Sequence, residues 1–137
     1  MRDAIWPANL TDMGALCCLI VDDNTGFLES ARLLLEREGL RVVAVASTGE
    51  DALLHIEKLR PDVVLVDVDL GHESGFDLVR SLQDRFGPST PDLILISIDT
   101  EQDLAELIAE TPVLGFIPKT DLSAAAIHAL RHGRSHP

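Results

Sequence analysis

Apolar residues in this chain fall into five short runs rich in Val, Ile and Leu, separated by five segments with helical spacing. The first run covers residues 16–21. Behind it Phe27, Ala31, Leu34 and Leu35 recur on one helix face, and Gly39 stops that helix. The second run, 42–46, leads into Ser47-Thr48-Gly49-Glu50, a capping-box pattern. That box opens a helix with Leu53, Ile56 and Leu59 on one face, and Pro61 ends it. The third run, 63–66, is continuous rather than alternating, which predicts a strand buried on both faces. A loop through Gly71 precedes a helix using Phe76, Val79, Leu82 and Phe86, closed by Gly87-Pro88. The fourth run is 93–96. Thr100 and Asp103 then have the form of a cap for a helix through Leu104, Leu107 and Ile108. The fifth run is 114–117, and a last helix from about Asp121 carries Leu122, Ala126, Ile127 and Leu130 to Gly133.

Strand and helix alternating five times predicts an α/β fold with a parallel sheet and helices on both faces. At 137 residues the chain fits one domain with a sizeable core, placed at 16–133 between an N-terminal tail, 1–15, and a C-terminal tail, 134–137. Trp6 falls in the first tail and is expected to be exposed. Apolar residues at 46% and charged residues at 25% exclude disorder as the main state.

Eleven Lys and Arg against 23 Asp and Glu give a formal net charge of −12. Such a field disfavours direct nucleic-acid binding and anionic membranes, and leaves cations and basic proteins as partners. No apolar run nears the roughly 18 residues of a membrane span, and residues 1–15 lack a secretory apolar core. Cys17 and Cys18 are neighbours on a strand, pointing to opposite faces, and are expected to be reduced thiols of a cytoplasmic protein. The five histidines show no metal-ligand grouping; His128 and His132 share a helix face but lack a third ligand.

In open parallel sheets, ligands bind at the carboxyl ends of the strands. Those ends carry Asp22 and Asp23 after the first strand, and Ser47 and Thr48 after the second. Asp67 ends the third, with Asp69 two residues on, while Ser97 ends the fourth and Lys119 the fifth. Clustered carboxylates repel one another, and a hard divalent cation such as Mg²⁺ relieves that repulsion through oxygen ligands. A carboxylate beside such an ion can act as a nucleophile, and a lysine and a hydroxyl can each contact a phosphoryl oxygen. Taken singly, each residue fits a blander role as loop acid, helix cap or surface charge. Together they form a set suited to receiving a phosphoryl group on an aspartate.

Here the sequence resembles the receiver domains of two-component response regulators. The residues that carry the resemblance are Leu19-Ile20-Val21-Asp22-Asp23, Pro61-Asp62-Val63-Val64-Leu65-Val66-Asp67, Gly75, Ile96-Ser97 and Gly115-Phe116-Ile117-Pro118-Lys119. It covers nearly the whole chain. The resemblance implies a doubly wound, flavodoxin-like fold of five βα units with strand order 2-1-3-4-5. It implies Asp67 as phospho-acceptor, with Mg²⁺ held by Asp22, Asp23, Asp67 and the backbone carbonyl of Asp69. It further implies Lys119 on the phosphoryl group, Ser97 as the switch hydroxyl and Phe116 as the aromatic switch residue. In the resting state Ser97 and Phe116 would favour an outward arrangement. The donor would be a histidine kinase or a histidine phosphotransfer protein. Output would pass to another protein or an effector domain, from a monomer or a phosphorylation-dependent homodimer. The only chemistry would be the chain's own phosphorylation and dephosphorylation, not turnover of a separate substrate.

Three positions depart from the common receiver pattern. Gly71 stands where proline is frequent, which is expected to loosen that loop. Thr120 follows Lys119 where proline is frequent, with Pro118 before the lysine instead. Ser97 replaces the commoner threonine but keeps the hydroxyl. The chain stops soon after the last helix, as a stand-alone receiver or the excised receiver of a longer regulator would. Two alternatives compete. One is a docking module of receiver fold that works without phosphorylation. The other is a phosphatase of the haloacid-dehalogenase type, because Val66-Asp67-Val68-Asp69 resembles that nucleophile motif. That motif normally opens its fold, whereas two strand–helix units precede it here.

Overall fold

A computed structural model of the chain describes residues 15–134. The expectations for Trp6 and for the tail beyond 134 lie outside the described residues. Five strands form the sheet: β1 (Cys17–Val21), β2 (Arg41–Ala46), β3 (Val63–Asp67), β4 (Asp92–Ser97) and β5 (Gly115–Pro118). All pairings are parallel, in the order β2-β1-β3-β4-β5. The helices are α1 (Thr25–Arg37), α2 (Gly49–Leu59), α3 (Gly75–Phe86), α4 (Ala105–Ala109) and α5 (Ala124–Arg134).

Side chains along each strand alternate between two cores, as the two-residue repeat requires. Leu19, Val21, Val64, Val66, Leu93, Leu95 and Phe116 face α2 and α3, where Ala52, Ile56, Phe76, Val79 and Leu82 complete one core. Cys18, Ile20, Val63, Leu65, Ile94, Ile96 and Ile117 face α1 and α5, meeting Leu28, Ala31, Leu35 and Ile127. β3 is buried throughout, in agreement with its continuous apolar run. Both cysteines are free thiols, and burial pushes the Cys18 thiol up to about 12, which makes it inert.

Four of the helices start where a short polar side chain satisfies a free N–H group, whereas α4 begins behind Leu104 with no side-chain cap. Asn24 accepts from Phe27, Thr48 from Asp51, and Ser74 from Phe76. At the start of α5, Ser123 Oγ accepts from Ala126. Thr48 rather than Ser47 therefore caps α2. Arg60 closes α2 in the left-handed conformation (φ 49°) immediately before Pro61.

Several boundaries differ from the periodic reading. Leu59 is 44% exposed in the last turn of α2, and Leu107 is 46% exposed. Thr100 Oγ1 does accept from the Asp103 N–H, but turns follow and the regular helix α4 begins only at Ala105. Only Ile108 of that helix, with Leu104 just before it, packs against the core, so its apolar pattern is too thin to bury a full face. The last helix starts later than Asp121: residues Lys119–Asp121 form a 3₁₀ turn, and Leu122 is buried ahead of α5. β5 is shifted one residue toward Pro118.

Candidate functional site

The chain runs from β1 outward to β2, then returns to place β3 on the other side of β1. This reversal opens a crevice at the carboxyl ends of β1 and β3, where the last β1 residue, Val21, pairs with Val66. Asp22 follows β1 and Asp67 ends β3, so the two carboxylates meet across that crevice. Both are buried, and Asp23 beside them is exposed. Lys119 leaves the end of β5, two strands from β3, a gap of about 10 Å at ordinary inter-strand spacing. Its four-carbon stem crosses the gap and sets Nζ 3.1 Å from Asp67 Oδ2 and 2.6 Å from Asp22 Oδ2. The Asp67 contact is a hydrogen bond. At Asp22 the contact is ionic, and Oδ2 has no directed hydrogen-bond donor. The other oxygens accept backbone N–H groups: Asp22 Oδ1 from Asn24 at 2.9 Å, and Asp67 Oδ1 from Asp69 at 3.2 Å.

The crevice forms a cleft of about 190 Å³, with Asp22, Asp23, Asp67, Ser97, Asp99 and Lys119 among its walls. That volume suits a phosphoryl group and an ion better than a large substrate. Two larger grooves, about 450 Å³ between α2 and α3 and about 430 Å³ along α4, contain no comparable constellation.

Burial, and next the charge of Asp22, push the Asp67 carboxyl from 3.8 up to about 6, against the opposing pull of the Asp69 N–H and Lys119. Burial acts to lower the Lys119 pKa, but the Asp22 and Asp67 carboxylates outweigh it and the ammonium is held above its ordinary value. Lys119 is thus a fixed cation facing more negative charge than it can balance.

Oxygens of Asp22, Asp23 and Asp67 lie within 4.8 Å of one another. A cluster of hard oxygen donors, one of them buried without a directed donor, fits a divalent ion such as Mg²⁺. The Asp69 carboxylate stands apart from this cluster: it is exposed, and its Oδ1 accepts the Gly71 N–H at 3.0 Å. Gly71 has φ +80°, a conformation closed to proline. The loop expected to be slack there is a defined turn, and its glycine is a requirement rather than a missing proline.

Ser97 is buried, and its Oγ accepts the Asp99 N–H at 3.0 Å, which leaves the hydroxyl proton free to donate elsewhere. Phe116 is only 8% exposed and belongs to the core that α2 and α3 complete. The outward arrangement expected for it is therefore not the one observed; the side chain lies inward, where it buries most of its surface.

Two further residues bear on the site and carried no signal of their own in the sequence. Glu73 reaches across from the loop before α3, and its Oε2 accepts the Gly49 N–H at 2.9 Å, tying that loop to the start of α2. The ring of Phe27, one of the apolar positions of α1, lies 4.3 Å from Lys119 Nζ.

Among the described residues, no helix is long and apolar enough to cross a membrane. Residues 18–130 match the family model of the response regulator receiver domain. The heme response regulator HssR of Staphylococcus saprophyticus is 37% identical over 86 residues, covering 63% of this chain and 37% of that protein. The transcriptional regulatory protein DegU of Brevibacillus brevis is 29% identical over 116 residues, covering 82% of this chain and 48% of that protein. The chain thus spans less than half the length of these curated relatives. In structure it is similar to a CheY-like receiver domain protein from Methanospirillum hungatei, with TM-score 0.71, 23% identity, and 90% and 99% of the two chains covered. It is also similar to the signal receiver domain of the response regulator NarL from Mycobacterium tuberculosis, with TM-score 0.73, 22% identity, and 85% and 97% covered. The family match sets aside the phosphatase alternative. With five parallel strands in the order 2-1-3-4-5 and a family match over most of its length, the chain belongs to the response regulator receiver domains, whose standard function is a phosphorylation-dependent switch.

Proposed function

We propose that this receiver takes a phosphoryl group on Asp67 from a histidine kinase or a histidine phosphotransfer protein. The observation that carries the reading is Lys119 Nζ lying against both Asp22 and Asp67 across the strand ends. In the transfer, a carboxylate oxygen of Asp67 forms a bond to phosphorus. The bond between phosphorus and the donor nitrogen breaks, and its electron pair leaves with the imidazole. Asp22, Asp23, Asp67 and the Asp69 carbonyl would hold Mg²⁺, which supplies charge neutralisation for the acceptor and the phosphoryl oxygens. Lys119 orients the incoming phosphoryl group by its ammonium.

The added charge on Asp67 is read by Ser97, whose free hydroxyl proton turns to a phosphoryl oxygen. Ser97 carries the loop into α4 with it. Short and mostly exposed, α4 is inexpensive to move. Because Phe116 is already buried in this arrangement, phosphorylation stabilises an existing packing and shifts a population between two arrangements. Receiver domains work with histidine kinases and output domains. For this chain, residues 16–133 form the switching unit in a cytoplasmic setting, acting as a monomer or a phosphorylation-dependent homodimer.

Intact mass spectrometry after acetyl phosphate and Mg²⁺, with and without EDTA, tests the reading on wild type and Asp67→Asn. The expected result is a single phosphoryl adduct that needs both Mg²⁺ and Asp67. If wild type takes neither phosphoryl nor beryllofluoride, the docking module replaces this function.

A further inference from the structure

We infer that Phe27 is a positioning residue that holds the Lys119 ammonium at Asp67 through the face of its ring. The inference rests on Asp67 being the acceptor. Lys119 Nζ lies 4.3 Å from the Phe27 ring centroid, inside the range at which a ring quadrupole attracts a cation. The Lys119 side chain is only 12% exposed, so water competes weakly for the charge. A closed circuit of contacts places the backbone that carries the ring. Asp22 Oδ1 accepts the Asn24 N–H at 2.9 Å, and Asn24 Oδ1 accepts the Phe27 N–H at 3.0 Å. The Phe27 ring meets Lys119, and Lys119 returns to Asp22 Oδ2 at 2.6 Å. The same aspartate thus anchors the ammonium directly and, through the cap of α1, sets the ring that faces it.

A neutral ring adds something the two carboxylates cannot. Asp22 and Asp67 attract Lys119 only while their charge is uncommitted. A divalent ion or a phosphoryl group at Asp67 draws on that same charge and weakens both ion contacts. The ring face does not titrate, binds no metal and accepts no phosphoryl group, so its attraction persists through the reaction. It also covers one side of the ammonium against water. Without it the long lysine stem gains freedom at the moment when Lys119 must meet a phosphoryl oxygen.

The test places mono-, di- and trifluorophenylalanine at position 27 of the full chain, alongside Phe27→Leu and Phe27→Tyr. Fluorination drains the ring face of negative potential while nearly preserving shape and apolarity, so packing alone predicts no trend. The readouts are the rate of adduct formation on Asp67 with acetyl phosphate, and the ring-current shift of the Lys119 Hε protons in metal-free protein. The rate should fall progressively along the fluorinated series at nearly constant Tm. Phe27→Leu should slow it about tenfold, and Phe27→Tyr should stay near wild type. The Hε protons should be shifted upfield in wild type, and the shift should vanish in Phe27→Leu. A flat series, or Hε protons without a ring-current shift, overturns this role while leaving the acceptor reading intact. A wild type that takes neither phosphoryl nor beryllofluoride overturns both.

Discussion

Gly71 and Asp23 share a space that only a hydrogen leaves open: a Cβ on Gly71 would lie 2.8 Å from Asp23 Oδ2. The glycine also has φ +80°, which strains any residue carrying a side chain. Gly71→Ala is therefore expected to lose about 1–2 kcal/mol of stability. It should also weaken Mg²⁺ binding by displacing a carboxylate of the candidate metal cluster. Denaturant titration and calorimetric Mg²⁺ titration check the two effects separately. An alanine variant with unchanged Mg²⁺ affinity would show that Asp23 is free to move aside without consequence. Gly71→Pro, which imports the frequent family residue, should be the more harmful of the two.

Gly75 supports the acceptor in a different way. A Cβ there would lie 2.0 Å from the Asp67 carbonyl oxygen and 2.8 Å from Val68 Cα, both rigid backbone atoms. Its N–H also donates to the Val68 carbonyl at 2.8 Å. Gly75→Ala must push the start of α3 away from the end of β3, at a cost of about 3 kcal/mol. Unfolding in urea should show that loss, and the rate of adduct formation should drop with it. Near-wild-type values for both would mean that α3 slides without disturbing Asp67.

Removing Lys119 leaves the buried Asp22 and Asp67 facing each other without their shared counter-charge. Lys119→Met is expected to destabilise the metal-free protein by roughly 3 kcal/mol near neutral pH. Mg²⁺ should recover much of the loss, because it supplies the missing positive charge. Because the folded pKa of Lys119 lies above its ordinary 10.5, its stabilising contribution is complete below that pH and disappears as pH rises through the raised value. Thermal melts in EDTA and in Mg²⁺ provide the comparison. Equal melting temperatures for wild type and variant in EDTA would contradict the electrostatic role.

The Asp67 carboxyl carries the opposite sign of linkage. Its pKa rises from 3.8 unfolded to about 6 folded, so the folded chain binds more protons between those values. Stability of the metal-free protein should therefore fall as pH rises through that window, by on the order of 2 kcal/mol. Asp67→Asn lacks this penalty. The variant should be more stable than wild type at pH 7 in EDTA, and the gap should close toward pH 4. Adding Mg²⁺ should narrow the gap at pH 7 by stabilising the ionised wild type. Parallel stability curves for the two proteins across this range would remove Asp67 as the source.

Apolar spacing alone determined five strands and five helices in alternation, because burial of an amphipathic element leaves its period in the chain. The continuous run at 63–66 marked β3 as the fully buried strand, and the placement of Asp22, Asp67 and Ser97 directly after apolar runs, and of Lys119 one residue beyond the fifth, put them on one edge of the sheet. The short α4 and late α5 were less legible, since Leu107 and Leu122 both keep the helical spacing, yet Leu107 is half-exposed within α4 and Leu122 is buried ahead of α5. Tertiary structure alone decided what depends on distance rather than order. Lys119 reaches two acids 52 and 97 positions away, Glu73 closes on Gly49, and Phe27 turns the face of a core-type residue toward a charge. The positive φ at Gly71 and the inward Phe116 belong to the same class, because a backbone angle and a side-chain direction are set by neighbours brought together only on folding.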